Sequence, residues 1–315
     1  MKDDTLQSRS WELALTADNS GLPVARLGAS LAYWLIAHSY FLPGLYLQRY
    51  STLFGLSLAV RRRSSLPKAL LYRLLSGTLD STSYFEFDFA WKSLPSDIGQ
   101  CRYLDVLSPW LLPLLLILRR KVSSATVVNP NASTLSTLRR LLDAADLESR
   151  CELIGQPLTH SALRPESFEA MTSISGPAQV KDDSAFVTSM WRMLKPGGRL
   201  ILTLPCARKT AGQSTHHGQR ANAGTTPVDL PRIYDPHLLR ERIFSVLGEP
   251  HSTVVYGRIA DAREPAENSL ALNCPSPREP VVMARDWCCF SRIEDLPGQG
   301  VVAMAFTKPR GSVSL

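Results

Sequence analysis

The sequence predicts an α/β fold with a doubly wound, mostly parallel sheet, and three observations in residues 168–205 carry that prediction. Phe168 to Ile174 is a short apolar run with small polar residues at its exit, and Arg199 to Leu204 is a second run that ends at Pro205; both read as buried strands. Between them Asp182 and Asp183 supply N-cap chemistry, and Phe186, Val187, Met190, Trp191 and Leu194 recur at helical spacing until Pro196, Gly197 and Gly198. Strands joined through a helix are parallel neighbours with a right-handed crossover.

The chain has 315 residues and a formal net charge of +7. That length allows one large domain with an added segment, or two smaller domains. The basic runs Arg61–Arg63 and Arg119–Lys121 are not interleaved with aromatics as a nucleic-acid groove would be, so no nucleic-acid partner is expected. The six cysteines show no CxxC spacing and follow no secretory leader, which predicts reduced cytoplasmic thiols and no metal site. A zinc site would have to combine Cys288 and Cys289 with His216 and His217. Asn131-Ala132-Ser133 spells a glycosylation acceptor without meaning in that compartment.

Residues 1–97 read as an N-terminal helical and apolar segment. From Leu27 to Gln48 only Arg-free, acid-free residues occur, among them Leu31, Tyr33, Trp34, Ile36 and Phe41. Three readings stand for this stretch: a buried or groove-capping helix, a peripheral membrane contact through 27–63 with Arg61–Arg63 on anionic headgroups, and a bilayer span. Ser65 to Leu75 follows as a helix with Leu66, Leu70, Leu71 and Leu74 on one face. Ser83 to Trp91 then sets five aromatics and the acids Glu86 and Asp88 ahead of the first core strand.

The core domain is expected over 98–309. Cys101 to Leu107 is its first strand, and Leu111 to Leu118 its first helix, with Pro113 in the first turn, where proline is tolerated. Thr126-Val127-Val128 is the second strand, Ser133 to Ala145 a helix with Leu135, Leu138, Leu141 and Leu142 inward, and Cys151 to Ile154 the third strand. After Pro205, the polar Ala207 to Thr226 stretch reads as a loop at the carboxyl end of a strand, either a substrate lid or a solvated insertion. Tyr234 to Leu247 is a helix, Ser252 to Tyr256 and Val301 to Thr307 are strands, and 258–299 is an accessory insertion forming a cap around Trp287; 310–315 is a tail.

Phe168-Glu169-Ala170, the Asp182-Asp183 helix and Arg192-Met193-Leu194-Lys195-Pro196-Gly197-Gly198-Arg199-Leu200 resemble the fourth strand, following helix and fifth strand of class I S-adenosylmethionine-dependent methyltransferases of the small-molecule, type 11 kind. The resemblance implies a Rossmann-like seven-stranded sheet with an antiparallel edge. It also implies S-adenosylmethionine as cofactor and a small-molecule or lipid-linked methyl acceptor, in a cytoplasmic and optionally membrane-associated protein. Carried over residue by residue, the cofactor site would comprise Asp105, Leu107, Ser108, Asn129, Gln156 and Ser175. Glu86 or Asp88 would face the charged methionine end, the alternative being a helix on the sheet edge with its acids in water.

The sequence departs from this family at three places. The glycine loop hhDhGxGxG becomes Leu104-Asp105-Val106-Leu107-Ser108-Pro109-Trp110-Leu111, and neither leucine nor proline is expected to copy a glycine turn, so a more open turn is predicted. Asn129 replaces the usual ribose-chelating acid, though it still accepts and donates hydrogen bonds. Ala178 and Gln179 stand where relatives carry a Glu-His pair, and no catalytic base is assigned; His216, His217 and Tyr234 are candidates by side-chain chemistry. Two functions follow: a working methyltransferase with a variant loop, or an inactive scaffold that binds a partner or membrane surface. A dinucleotide or nucleotide-sugar enzyme is disfavoured by the missing glycine fingerprint.

Overall fold

A computed structural model of the chain describes residues 43–60, 66–76, 81–95, 101–119, 121–209, 231–259 and 287–310. Three helices come first: α1 (Leu45–Val60), α2 (Lys68–Ser76) and α3 (Ser81–Ser93). The sheet unit follows as β1 (Arg102–Val106), α4 (Leu111–Leu118), β2 (Ser124–Val128), α5 (Ala132–Ala144), β3 (Cys151–Ile154), β4 (Phe168–Ile174), α6 (Asp183–Met193) and β5 (Leu194–Ala207). Helix α7 spans 236–247 with a π turn at Arg240–Phe244, and β6 (Ser252–Arg258), β7 (Trp287–Phe290) and β8 (Gln299–Thr307) complete the sheet.

The strand order is β3-β2-β1-β4-β5-β8-β6-β7. Strands β1 to β5 are parallel, and β8, β6 and β7 add an antiparallel edge. The expected α/β class holds, with one correction: the sheet has eight strands among the described residues, not seven. The addition is Trp287–Phe290, which pairs with β6 from Val255↔Phe290 to Arg258↔Trp287. Most of the insertion expected at 258–299 lies outside the described residues, as do 27–42, Arg61–Arg63 and the loop holding His216, His217 and Arg220. Among the described residues no helix is long and apolar enough to cross a membrane, and no group of three or more His, Cys, Asp or Glu could hold a metal ion.

Local chemistry sets the helix ends. Asn131 caps α5 by accepting from the Ser133 and Thr134 amides, so the glycosylation-like triplet is a cap. Asp182 caps α6 through the Ala185 amide at 2.9 Å. At its far end the Lys308 ammonium donates to the Trp191 and Leu194 carbonyls at 3.1 and 2.7 Å, neutralising the carbonyl-rich terminus. Leu194 is already extended (φ −75°, ψ 134°), so α6 ends before the Pro-Gly-Gly segment, which belongs to β5.

The parallel strands place their carboxyl ends on one edge, and winding reverses between β1 and β4. This is the switch point at which open α/β sheets hold ligands. Gly176, two residues past β4, lies against the loop that leaves β1. A Cβ built on it would stand 2.1 Å from Ser173 Oγ and 3.1 Å from Leu107 Cβ, while Ser173 Oγ is itself held by the Val106 carbonyl at 2.7 Å. Gly176→Ala is therefore expected to cost about 1–3 kcal/mol in urea unfolding, by overpacking. Gly176→Ala/Ser173→Ala should recover part of that loss; additive losses would show that the crowding lies elsewhere.

Candidate functional site

The site is built where β1 and β4 end. Asp105 is fully buried; its Oδ2 accepts from Tyr103 Oη at 2.9 Å and Thr172 Oγ1 at 2.7 Å, and its Oδ1 accepts from the Ser108 amide at 3.3 Å. Burial pushes its carboxyl up to about 6, against the lowering effect of these donors. Tyr103 and Thr172 also touch each other through their hydroxyls, and Tyr103 is raised well above its ordinary range, first by burial and then by the Asp105 charge. The carboxylate thus faces inward and joins β1, β4 and the loop.

Leu107 in the loop adopts φ +62°, a left-handed conformation that favours glycine. The conformation costs about 1–2 kcal/mol for a residue with a Cβ. It is held by the Leu107 amide on the Val128 carbonyl at 3.0 Å and by Ser108, whose Oγ accepts from the Ile174 amide at 3.0 Å. Ser108 is buried beside Asp105, so its side chain also turns inward. Ser175, directly after β4, is the matching outlier at φ +55°. Two of the four non-glycine residues with positive φ among the described residues therefore flank the switch point, a placement typical of ligand-binding turns.

Asp105, Leu107, Ser108 and Ser175 are brought together. Asn129 follows β2, one strand away; it is buried, and its Oδ1 accepts from the Asn131 amide at 2.9 Å. Gln156 is exposed after β3, two strands from the switch point, or about 10 Å by strand spacing.

Helix α3 supplies a residue that sequence reasoning left undecided. Glu86 is 3% exposed, and its Oε1 accepts from Ser175 Oγ at 2.9 Å and Thr203 Oγ1 at 2.7 Å. Asp88 is equally buried and pairs with Lys92 at 2.8 Å. The reading that leaves both acids in water is thereby corrected: Glu86 reaches the carboxyl ends of β4 and β5. The available signal was a helix of alternating aromatics and acids immediately before β1.

Tyr234 is also corrected. It is fully buried, its hydroxyl donates to Asp183 Oδ2 at 2.7 Å, and burial followed by the Asp183 interactions raises its pKa. A phenol so held cannot serve as a base. Asp183 in turn faces Arg232 and, at 3.7 Å, Arg242, an ionic cluster that ties residues 232–234 and α7 to the start of α6. Burial likewise pushes the Cys151 and Cys206 thiols up to about 12, which makes them inert at neutral pH.

Residues 113–202 match the family model described as a methyltransferase domain. The matched residues include the Arg192 to Leu200 run on which the sequence resemblance to S-adenosylmethionine-dependent methyltransferases rests. No curated protein matches the sequence. Similar solved structures include the [4+2]-cyclase SpnF, at 17% identity over 70% of this chain and 79% of that one, with a TM-score of 0.47. A geranyl diphosphate methyltransferase in complex with SAM aligns at 13% identity over 76% and 88%, with a TM-score of 0.48. The geranyl diphosphate C-methyltransferase from Streptomyces coelicolor A3(2), in complex with Mg2+, geranyl diphosphate and S-adenosyl-L-homocysteine, aligns at 12% identity over 76% and 82%, with a TM-score of 0.49.

The raised carboxyl of Asp105 makes stability depend on pH. Its folded pKa of about 6 lies above the ordinary 3.8, so its contribution is fully present below about pH 4 and is lost as pH rises through about 6. Asp105→Asn removes that titration. Relative to wild type, the variant should gain on the order of 2–3 kcal/mol between pH 4 and 8 in denaturant unfolding. A difference that stays flat across this range would show that the carboxyl titrates normally.

Proposed function

We propose that the chain transfers the methyl group of S-adenosylmethionine to a small-molecule or lipid-linked acceptor, with the cofactor lying along the carboxyl edge across the β1/β4 switch point. The observation that supports this reading is the left-handed turn at Leu107, paired with that at Ser175, at the carboxyl ends of β1 and β4 where the sheet's winding reverses. The donor set fits the cofactor. S-adenosylmethionine has no pyrophosphate and needs no phosphate cradle, so a loop with Pro109 in place of an amide donor is compatible with it.

Each residue has a distinct part. Asp105 and Ser108 hold the turn from beneath through their inward side chains. Asn129 and Gln156 would meet the nucleoside, Asn129 with the amide group left after its oxygen engages the Asn131 amide. Glu86, oriented by Ser175 and Thr203, puts negative charge at the end of the site where the methionine part would lie. When bound, the cofactor supplies an electrophilic methyl on a positively charged sulfur. The chain's task is to align the acceptor with it, since alignment provides much of the acceleration in such displacements. A base is required only for an acceptor that is protonated at working pH.

Titration calorimetry with S-adenosylmethionine and S-adenosylhomocysteine tests this. Wild type should bind both, and Glu86→Gln should weaken S-adenosylmethionine about tenfold, or 1.4 kcal/mol. A larger loss for S-adenosylmethionine than for the uncharged thioether would put Glu86 at the sulfonium; equal losses would put it at the amino group. Asn129→Asp keeps an acceptor for the Asn131 amide and should tighten both ligands. No heat from folded wild type with either ligand would defeat the proposal and leave the scaffold reading.

A further inference from the structure

We propose that the hairpin of α1 and α2 is a docking face for an anionic lipid bilayer surface. Helix α1 carries large apolar residues on its outward face as well as its inward one. Leu47, Phe54 and Leu58 point inward, yet Leu53, Leu56 and Val60 remain 59%, 48% and 80% exposed. These three continue from exposed Arg49 at i, i+4, i+7 and i+11, which makes one stripe along the helix. On α2, Tyr72 is 51% exposed beside exposed Lys68 and Ala69. Four of the five large apolar side chains that are exposed among the described residues lie on this one hairpin. Clustered exposed apolar side chains of this kind mark a contact surface.

Charge identifies the partner. From residue 19 to residue 79 the sequence contains seven Lys and Arg and no Asp or Glu. The rest of the chain holds 28 of each sign, so the whole net charge of +7 belongs to the stretch that contains the hairpin. On the hairpin Arg49 and Lys68 are exposed, and in the sequence Arg61–Arg63 follow Val60 directly.

A bilayer interface takes both features at once, because leucine and valine enter the acyl boundary while arginine and lysine meet acidic headgroups. A second copy would bring the same cationic face against itself, which disfavours a two-fold contact. Nucleic acid would use the bases but gain nothing from exposed leucine and valine, since it binds through phosphate contacts and aromatic stacking.

The face is rigidly presented. Ser51 Oγ donates to the Leu74 carbonyl at 3.0 Å and Thr52 Oγ1 to the Leu75 carbonyl at 3.1 Å, across the two helices. At Gly55 an added Cβ would stand 3.0 Å from Leu74 Cβ, so the helices touch closely there. Contact by insertion of exposed side chains, without a span, agrees with the 16-residue length of α1.

Vesicle flotation of the full chain decides the matter, comparing phosphatidylcholine alone with phosphatidylcholine containing about one third phosphatidylglycerol, at low and high salt. Wild type should float with the acidic vesicles at low salt, at least tenfold more strongly than with neutral ones. Leu53→Gln/Leu56→Gln keeps every charge and changes exposed positions only; it should lose about tenfold with an unchanged thermal melt. Arg61→Gln/Arg62→Gln/Arg63→Gln should bind more weakly and with less dependence on salt. Three results would overturn the proposal: equal flotation with both vesicle types, no flotation with either, or a leucine variant that binds vesicles as wild type does while a concentration-dependent dimer becomes monomeric. Binding of an RNA oligonucleotide in place of acidic vesicles would also overturn it.

Discussion

A single buried carboxylate, that of Asp105, sets the geometry on which the candidate site depends. Removing a carboxylate from water is expensive unless donors replace the solvent. Here the donors come from three places: Tyr103 within β1, Thr172 on β4 and the amide of Ser108 in the loop. Satisfying one charge therefore fixes the contact between β1 and β4, the pair at which the winding of the sheet reverses. The loop has little choice after that. With the Ser108 amide drawn back toward Asp105 and its Oγ accepting from Ile174, the chain must turn at Leu107, and the left-handed conformation is what allows it. The backbone strain at Leu107 is offset by these bonds.

The second constraint couples the N-terminal helices to the antiparallel edge. On α3, Phe85 stacks on Tyr256 of β6 at 4.6 Å between centroids and lies 5.8 Å from Trp287 of β7. The neighbouring residue, Glu86, reaches back to Ser175 and Thr203. Adjacent helical positions thus contact two distant parts of the sheet, and β7 contributes a ring to the stack that orients α3. Tyr46 of α1 packs edge-on against Trp91 at 6.2 Å, which links the exposed hairpin to the same helix. A strand that lengthens the sheet edge therefore also bears on where a carboxylate lies at the site.

How much of this was legible in the sequence follows from the range of each interaction. Strands β1 to β5 and helices α4 to α6 announce themselves through period and punctuation, which are local properties, and the Leu111–Leu118 helix with Pro113 in its first turn was readable to the residue. Leu107 was not: residue preference speaks against a left-handed leucine, and the bonds that impose it come from β2 and β4, 21 and 67 positions away along the chain. The burial of Glu86 was hidden for the same reason, since Ser175 and Thr203 are remote in sequence. Strand β7 is four residues long and has no alternation to read; only its pairing with β6 makes it a strand. Tyr234 had the chemistry of a base, but sequence does not show that its hydroxyl donates to the buried Asp183 carboxylate.

Three carboxylates at or near the same edge meet the cost of burial in different ways. Asp183 faces two arginines, and its cluster braces the segment after β5, as paired buried charges do when their geometry is fixed. Asp105 has only neutral donors, so its charge remains costly and its pKa rises. Both sit within the sheet unit, and moving either would disturb strand pairing. Glu86 differs because it arrives on a helix that precedes the first strand, and the hydroxyls of Ser175 and Thr203 donate to it. Hydroxyl donors can rotate toward another partner at small cost, whereas main-chain amides cannot. Of the three, Glu86 is the carboxylate that stands outside the strands and the loops between them, on a helix packed against the carboxyl ends of β4 and β5.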